Sequence, residues 1–269
     1  MQKELIRNAT IGADIEVFLK DNLKNEIVSA EPYIKGTKHE PFNFDTSNKY
    51  FAVSLDNVLA EFCIPPAQTV VDWVGNISKA LEYIQSAIPE NLSVVATPSA
   101  ILKPKYLRTI NAQTFGCEGD LNIWLKANNE KPNAKNKNLR SAGGHIHIGY
   151  EKNSIEVNEM IVKTMDLFIG VPSVLQEPNN ERKLLYGKAG CARFKPDYGV
   201  EYRTVSNYYL QSEALTKWVF ERTKAAIEFI NKGKFDEVEE VGELIQNCIN
   251  RSDTIAAGNL IRQFDLVTV

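Results

Sequence analysis

Five stretches of the chain alternate polar and apolar residues with a period of two, and their polar members are almost all acids, histidines or arginines. Successive side chains of a strand point to opposite faces, so each stretch would present its ionisable groups on one side and its aliphatic groups on the other. The stretches are Asp14 and Glu16 among Ile15 and Val17; Glu61 within the apolar run 58–64; Asp120 and Asn122 between Leu121 and Ile123; His145 and His147 between Ile146 and Ile148; and Glu201 and Arg203 flanking Tyr202. Paired acids on a strand repel each other unless water, a cation or an arginine separates them. A lone carboxylate in an apolar run, such as Glu61, is costly unless it faces a polar cavity or a cationic partner. Together the five predict a sheet with one face under helices and a concave face lined by acids, histidines and arginines.

Helical periodicity supplies the cover. An apolar stripe at Val70, Trp73, Val74, Ile77, Leu81 and Ile84 predicts a helix from a Thr69 cap to Ala87. Ser154 caps a second helix over 155–169, ahead of Pro172, and 212–231 carries a third, stopped by Gly233. Two shorter amphipathic stretches follow, over 236–249 and 252–264. Pro65 and Pro66 are expected to end the Glu61 strand. The segment 128–138, rich in asparagine, reads as a loop or lid feeding Arg140 and the histidine strand, and Asp197 to Gly199 as a turn. Helices are too few, and the strands too clearly alternating, for parallel βαβ units. The predicted class is α+β, a single domain over 1–269 with a helical part from about residue 212.

Composition narrows the partners. Against 34 acidic residues stand 31 basic ones, with no strongly basic domain, which argues against nucleic acid. Cys63, Cys117, Cys191 and Cys248 form no paired motif, as expected of free thiols in a reducing compartment. The N-terminus has no signal-peptide pattern and no apolar run reaches the ~18 residues of a membrane span. The expectation is a cytoplasmic protein.

Carboxylates with one or two histidines suit Mg²⁺ or Mn²⁺, and arginines suit phosphate oxygens. That combination points to phosphoryl transfer. There is no P-loop motif and no nucleophile elbow, and Cys191 has no base beside it in sequence. His39 sits alone in a polar connection and reads as non-catalytic.

At this point the chain resembles a known family. Gly12 to Glu16, Asp56 to Glu61, Gly116 to Asn122, Arg140 to Tyr150, and Gly190 to Arg203 with Ser206 and Asn207 occur in the order seen in the phage and bacterial carboxylate–amine ligases of type 2 (amidoligases), within the glutamine synthetase and glutamate–cysteine ligase superfamily. The resemblance spans about residues 11–210. It implies a glutamine-synthetase-like antiparallel sheet curved into a partial barrel, with helices on its outer face. It also implies an ATP-dependent ligase that forms an amide through an acyl-phosphate, releasing ADP and phosphate.

By the same resemblance, Asp14, Glu16, Glu61, His145 and Glu201 would hold divalent metal, Mg²⁺ or Mn²⁺. His147, Arg182, Arg193 and Arg140 would contact nucleotide or phosphate. Arg203, Arg193 and Glu61 would be catalytic, the arginines beside the transferred phosphate and Glu61 drawing a proton from the amine. Asp14 stands where glutamine synthetase has a glutamate, and its shorter side chain reaches less far. The implied partners are a small-molecule or peptide carboxylate and an amine, in the host cytoplasm if the protein is phage-encoded. Two other classes fit parts of the pattern: a metal-dependent hydrolase, which needs no arginines aimed at a phosphate, and a non-catalytic binding or scaffold protein that keeps the sheet.

Overall fold

The computed structural model describes residues 5–113, 120–130, 135–177 and 181–269. The alternating stretches build an extended antiparallel sheet from β1 (Thr10–Asp21), β2 (Glu26–Val28), β3 (Phe42–Asn43), β4 (Ala52–Asp56), β5 (Leu59–Ala67), and, after helix α1 (Val70–Ala87), β6 (Leu92–Val95). A short strand β7 (Ser99–Ile101) and helix α2 (Ile110–Gln113) lead to β8 (Leu121–Asn122) and β9 (Ala127–Asn128). Next come β10 (Leu139–Ser141) and the histidine strand β11 (Gly144–Gly149). Helix α3 (Ile155–Met165) continues through a π-helical turn, Asp166–Gly170, into α4 (Val171–Gln176). The hairpin β12 (Cys191–Lys195) and β13 (Gly199–Tyr202) closes the strand set. Helices α5 (Glu213–Asn231), α6 (Phe235–Glu240), α7 (Gly242–Arg251) and α8 (Thr254–Gln263) complete the described chain.

The strands run β3-β4-β5-β1-β11-β13-β12-β8-β9, and the far half of β1 also pairs with β2 and β6. Every ladder between these strands is antiparallel. One face is apolar: Ile11, Ala13 and Ile15 of β1, Phe62 and Ile64 of β5, Ile146 and Ile148 of β11, and Val200 and Tyr202 of β13 are all buried in one core. Helix α1 adds Trp73, Ile77 and Ile84 to it, and the Trp73 indole donates to the Thr216 carbonyl of α5 at 2.9 Å. Thr69 caps α1, its Oγ1 accepting the Asp72 N–H, as its sequence predicts. The α+β class and antiparallel sheet therefore match the expectation.

Other expectations fail locally for physical reasons. Strand β5 runs through Pro65 and Pro66 to Ala67. Beyond Cys63 it has lost β4 as a neighbour, and its pairing with β1 shifts register between Ile11 and Ala13, so prolines occupy an irregular, one-sided position that needs no N–H. Pro172 does not end its helix either, because it lies in the first turn of α4 just after the π turn. The 236–249 stretch is two helices, α6 and α7, rather than one. The polar connection that carries His39 contains the edge strand β3. Arg140 lies ahead of the histidine strand, on β10, which pairs with β7 in a separate two-stranded sheet. Of the strand expected around Asp120 and Asn122, only β8 forms among the described residues; 114–119, with Cys117, and 131–134 in the asparagine-rich loop lie outside them.

The polar face is sealed at one end by a second, smaller core. Phe18, on the Asp14 and Glu16 side of β1, packs with Val58, Leu59, Leu102, Leu107, Ala112 and Ala142. Acids next to this plug are drawn out of water. No helix of the described residues is long and apolar enough to cross a membrane.

Candidate active site

Antiparallel register turns five one-dimensional patterns into a grid. Asp14 pairs with His145 across β1 and β11, and with Cys63 across β1 and β5. Glu16 faces Glu61, which faces Ser54 on β4. On the other side, His147 faces Glu201 and Glu201 faces Arg193. Side chains in register share a face, so Asp14, Glu16, Glu61, His145, His147, Arg193 and Glu201 come together on the side away from the helices.

The contacts are close. His145 Nδ1 lies 2.9 Å from Asp14 Oδ1 and 3.5 Å from Glu201 Oε1, and His147 Nε2 lies 3.2 Å from Asp14 Oδ2. Glu201 is fully buried, with Arg203 Nη1 in contact, Lys195 Nζ at 2.8 Å and Arg193 Nη1 at 3.5 Å. Arg203 also donates from Nε to Asp120 at 2.8 Å. Glu16 accepts the Gly143 N–H at 2.6 Å, and Glu61 accepts the Ser54 hydroxyl at 3.2 Å. Tyr198 closes the far end, its hydroxyl against His147 Nδ1.

Charge divides this face into two halves. Burial raises the carboxyls of both Asp14 and Glu201. For Asp14 the two histidines outweigh it and hold the group well below the usual carboxylate range. Glu201, raised also by Asp14, is brought down to about 2 by Arg203 and the two histidines. Across β1 the balance reverses. Burial, then Asp14, Glu16 and Asp56, push Glu61 well above its ordinary value, and burial with Asp56 raises Glu16. One half is an acid–cation network; the other is a crowd of buried acids.

Such crowding is what a cation relieves. Among the described residues, three sets of donor atoms lie within 4.8 Å of one another: Asp14, His147 and Glu201; Asp14, Glu61 and His145; and Glu16, Asp56 and Glu61. Oxygen-rich sets with one imidazole at most fit a hard divalent ion such as Mg²⁺ or Mn²⁺. His147 Nε2 is buried and directed at Asp14 Oδ2, so it stands among the oxygen donors of the first set.

Two cavities flank the cluster. A narrow polar cleft of about 50 Å³ is lined by Glu16, Asp56, Asp120, Arg140, Arg182 and Arg203, among others. The roomier one, about 310 Å³, lies at the opposite end among Gly12, Tyr50, Ile64, Pro66, Gly149 and Tyr198, with His147 on its wall. The four residues expected to contact nucleotide are thus not gathered: His147 belongs to the roomy cavity, Arg140 and Arg182 to the polar cleft. Arg182 is buried and donates to the carbonyls of Ala142, Thr204 and Arg203. Arg140 donates to the Asn57 side chain and to the carbonyls of Lys137, Leu139 and Ala112.

Asp56, Ser54, Lys195 and Tyr198 were not among the expected site residues. Lys195 follows Arg193 by two and Asp56 follows Ser54 by two, so the period-two signal was present for both pairs. Asp56 was hidden by its neighbour Asn57, whose positive φ makes the β4–β5 turn and which reads as a strand break.

Residues 136–243 match the family described as Phage phiEco32-like COOH.NH2 ligase-type 2. That stretch carries His145, His147, Arg182, Arg193, Glu201 and Arg203, and the match bears out the family resemblance. The enzyme class that goes with it is that of amide-forming ligases. No curated protein is significantly similar to the chain in sequence. Among solved structures, a bifunctional glutathione synthetase from Pasteurella multocida is similar at a TM-score of 0.37 and 10% identity, over 96% of this chain and 49% of that one. The chain spans about half the length of that structure, and a likeness of this size establishes neither a shared fold nor a shared activity.

Proposed function

We propose that the chain is an ATP-dependent carboxylate–amine ligase working through an acyl-phosphate on the polar face of its sheet, which is glutamine-synthetase-like in plan. The observation that carries the reading is the register itself: Asp14, Glu61, His145, His147 and Glu201 meet on one face with Arg203 among them.

The nucleotide lies in the roomy cavity. Its walls suit a base, being apolar with two tyrosines, and Gly12 and Gly149 keep its floor low. The phosphates then run toward His147, Lys195 and Arg193. The carboxylate substrate enters the polar cleft, where Arg203 meets it beside Glu16 and His145. Arg140 and Arg182 act there chiefly as buried posts, since both are given to backbone carbonyls.

The carboxylate oxygen attacks the γ-phosphorus, the bond to the β-phosphate oxygen breaks, and ADP leaves. Arg203, with Arg193 and Lys195, stabilises the charge on the transferring group. The amine nitrogen then attacks the acyl carbon, phosphate leaves, and the amine's proton passes to a carboxylate of this face, Glu61. Asp14, Glu16, Asp56, Glu61, His145, His147 and Glu201 would hold the divalent ions, which supply neutralising charge to the β and γ oxygens. The carboxylate and amine are small-molecule or peptide groups.

The test is conversion of ATP to ADP by the purified chain with Mg²⁺ or Mn²⁺, against pools of carboxylates and amines with mass detection. A product lighter by one water than its two substrates supports the reading. ADP formation that persists in both Glu201→Gln and Arg203→Ala would remove it from this face.

A further inference from the structure

Asp166 sits behind the sheet, outside the polar face, and the chemistry above makes no use of it. It opens the π-helical turn between α3 and α4 and is completely buried. Four donors converge on its two oxygens. Trp124 Nε1 and the Gly190 N–H give to Oδ2 at 2.7 and 2.6 Å. The Tyr202 hydroxyl and Thr204 Oγ1 give to Oδ1 at 2.9 and 3.0 Å, Thr204 sharing its one proton with the Lys188 carbonyl at 3.1 Å. Two carboxylate oxygens offer about four acceptor positions, so this group is matched to its donors.

Each donor belongs to a segment that delivers a residue of the proposed site. Tyr202 and Thr204 alternate with Glu201 and Arg203, so anchoring the first pair on the helical side sets the depth of the second pair on the polar side. Gly190 precedes Cys191, whose carbonyl accepts the Arg203 N–H at 2.9 Å. Trp124 follows β8 by two residues, close in sequence to Asp120, the other partner of Arg203. The fit is tight: a Cβ on Gly170, within the same turn, would come 2.8 Å from the Tyr202 hydroxyl.

We infer that Asp166 is a positioning residue that holds Glu201, Arg203 and Asp120 in mutual register through Tyr202, Thr204, Gly190 and Trp124. The inference deepens the proposed function and rests on that site. An asparagine would present one acceptor oxygen and one NH₂ group. With that oxygen on the side where the indole and amide N–H groups converge, and the NH₂ toward the two hydroxyls, which can reverse to accept, an asparagine keeps all four contacts, whereas an alanine keeps none.

The test uses the whole chain and three readouts: the thermal melt, the imidazole NMR signals of His145 and His147 with exposed His39 as reference, and Mn²⁺ binding by EPR. Asp166→Asn, which can keep the four contacts, should stay near the wild type, whereas Asp166→Ala is expected to move the His145 and His147 signals but not that of His39, and to weaken Mn²⁺ binding at least about tenfold. Thr204→Val should do the same to a smaller degree, and Thr204→Ser, which keeps the hydroxyl, should match the wild type. If Asp166→Ala does not fold, the Thr204 variants decide by the same readouts. Unchanged imidazole signals and Mn²⁺ affinity in folded Asp166→Ala and Thr204→Val would overturn the inference. A wild-type chain that binds no Mn²⁺ would instead overturn the metal reading of the site, and the imidazole signals alone would then decide the role of Asp166.

Discussion

Asp14 and His145 oppose each other across the β1–β11 ladder, with carboxylate oxygen and imidazole nitrogen 2.9 Å apart. The second oxygen of Asp14 lies 3.2 Å from His147, so one short acid bridges both histidines. It is also common to two of the three donor sets that suit a divalent ion. Short as the aspartate side chain is, in this register it reaches both imidazoles.

Replacing Asp14 with Asn should therefore weaken ion binding at two positions and cut ADP formation by about 100-fold or more, near 2.7 kcal/mol of barrier. Its low folded-state pKa has a stability signature as well. The stabilisation is present above the unfolded value of 3.8 and is lost as pH falls toward the folded value. Thermal melts across pH 2–7 should show a steeper acid loss for the wild type than for Asp14→Asn; parallel curves would refute it.

Glu61 predicts the opposite sign. Its pKa is raised, so the folded state favours the protonated form; that advantage is complete below 4.5 and lost as pH rises through the folded value. Glu61→Gln should thus raise the melting temperature of the metal-free protein at pH 7, by about 2–4 °C for a change near 1 kcal/mol in a domain of this size. The same variant should bind Mn²⁺ more weakly. A lower melting temperature in chelator would contradict the crowding of acids around it.

Arg203 is the cation on which two buried carboxylates depend. Arg203→Ala leaves Glu201 and Asp120 without it and should cost about 3–5 kcal/mol, the range for breaking a buried ion pair. Urea unfolding measures this directly. A loss under 1 kcal/mol would mean that Lys195 and Arg193 suffice for Glu201.

Gly143 leaves room for an imidazole. A Cβ there would stand 2.4 Å from His145 Nε2. Gly143→Ala should displace the ring, weaken Mn²⁺ binding about tenfold or more, and cost about 1–3 kcal/mol from overpacking. Retained affinity would show that the ring relocates without consequence.

Thr69 tests the fold apart from the site. Thr69→Ala removes the α1 cap and should cost about 1 kcal/mol with ADP formation unchanged. Denaturant melts and the ATP assay together check it.

Period-two alternation made each strand's polar face readable one strand at a time, and stripes of helical period announced α1 and α5. Punctuation was less reliable. Pro65, Pro66 and Pro172 lie within elements because a register shift and a π turn remove the need for their N–H groups. Asp56 lies in a block that carries the resemblance, but the turn residue after it ends the alternation that would have placed it on the polar face.

Alternation is a local property of the backbone, so the sequence by itself determined which side chains share a face: Asp14 with Glu16, His145 with His147, Glu201 with Arg203. Register between strands is not local. It depends on turn geometry, on the shift near Ile11 and on which aliphatic faces bury together, and a slip of one residue would turn a whole strand over. Only the tertiary structure could therefore set His145 opposite Asp14 and His147 opposite Glu201, or divide Arg140 and Arg182 from His147 between two cavities. It also brought Asp166 up behind Tyr202 and Thr204, because a buried carboxylate goes where enough donors converge to replace water.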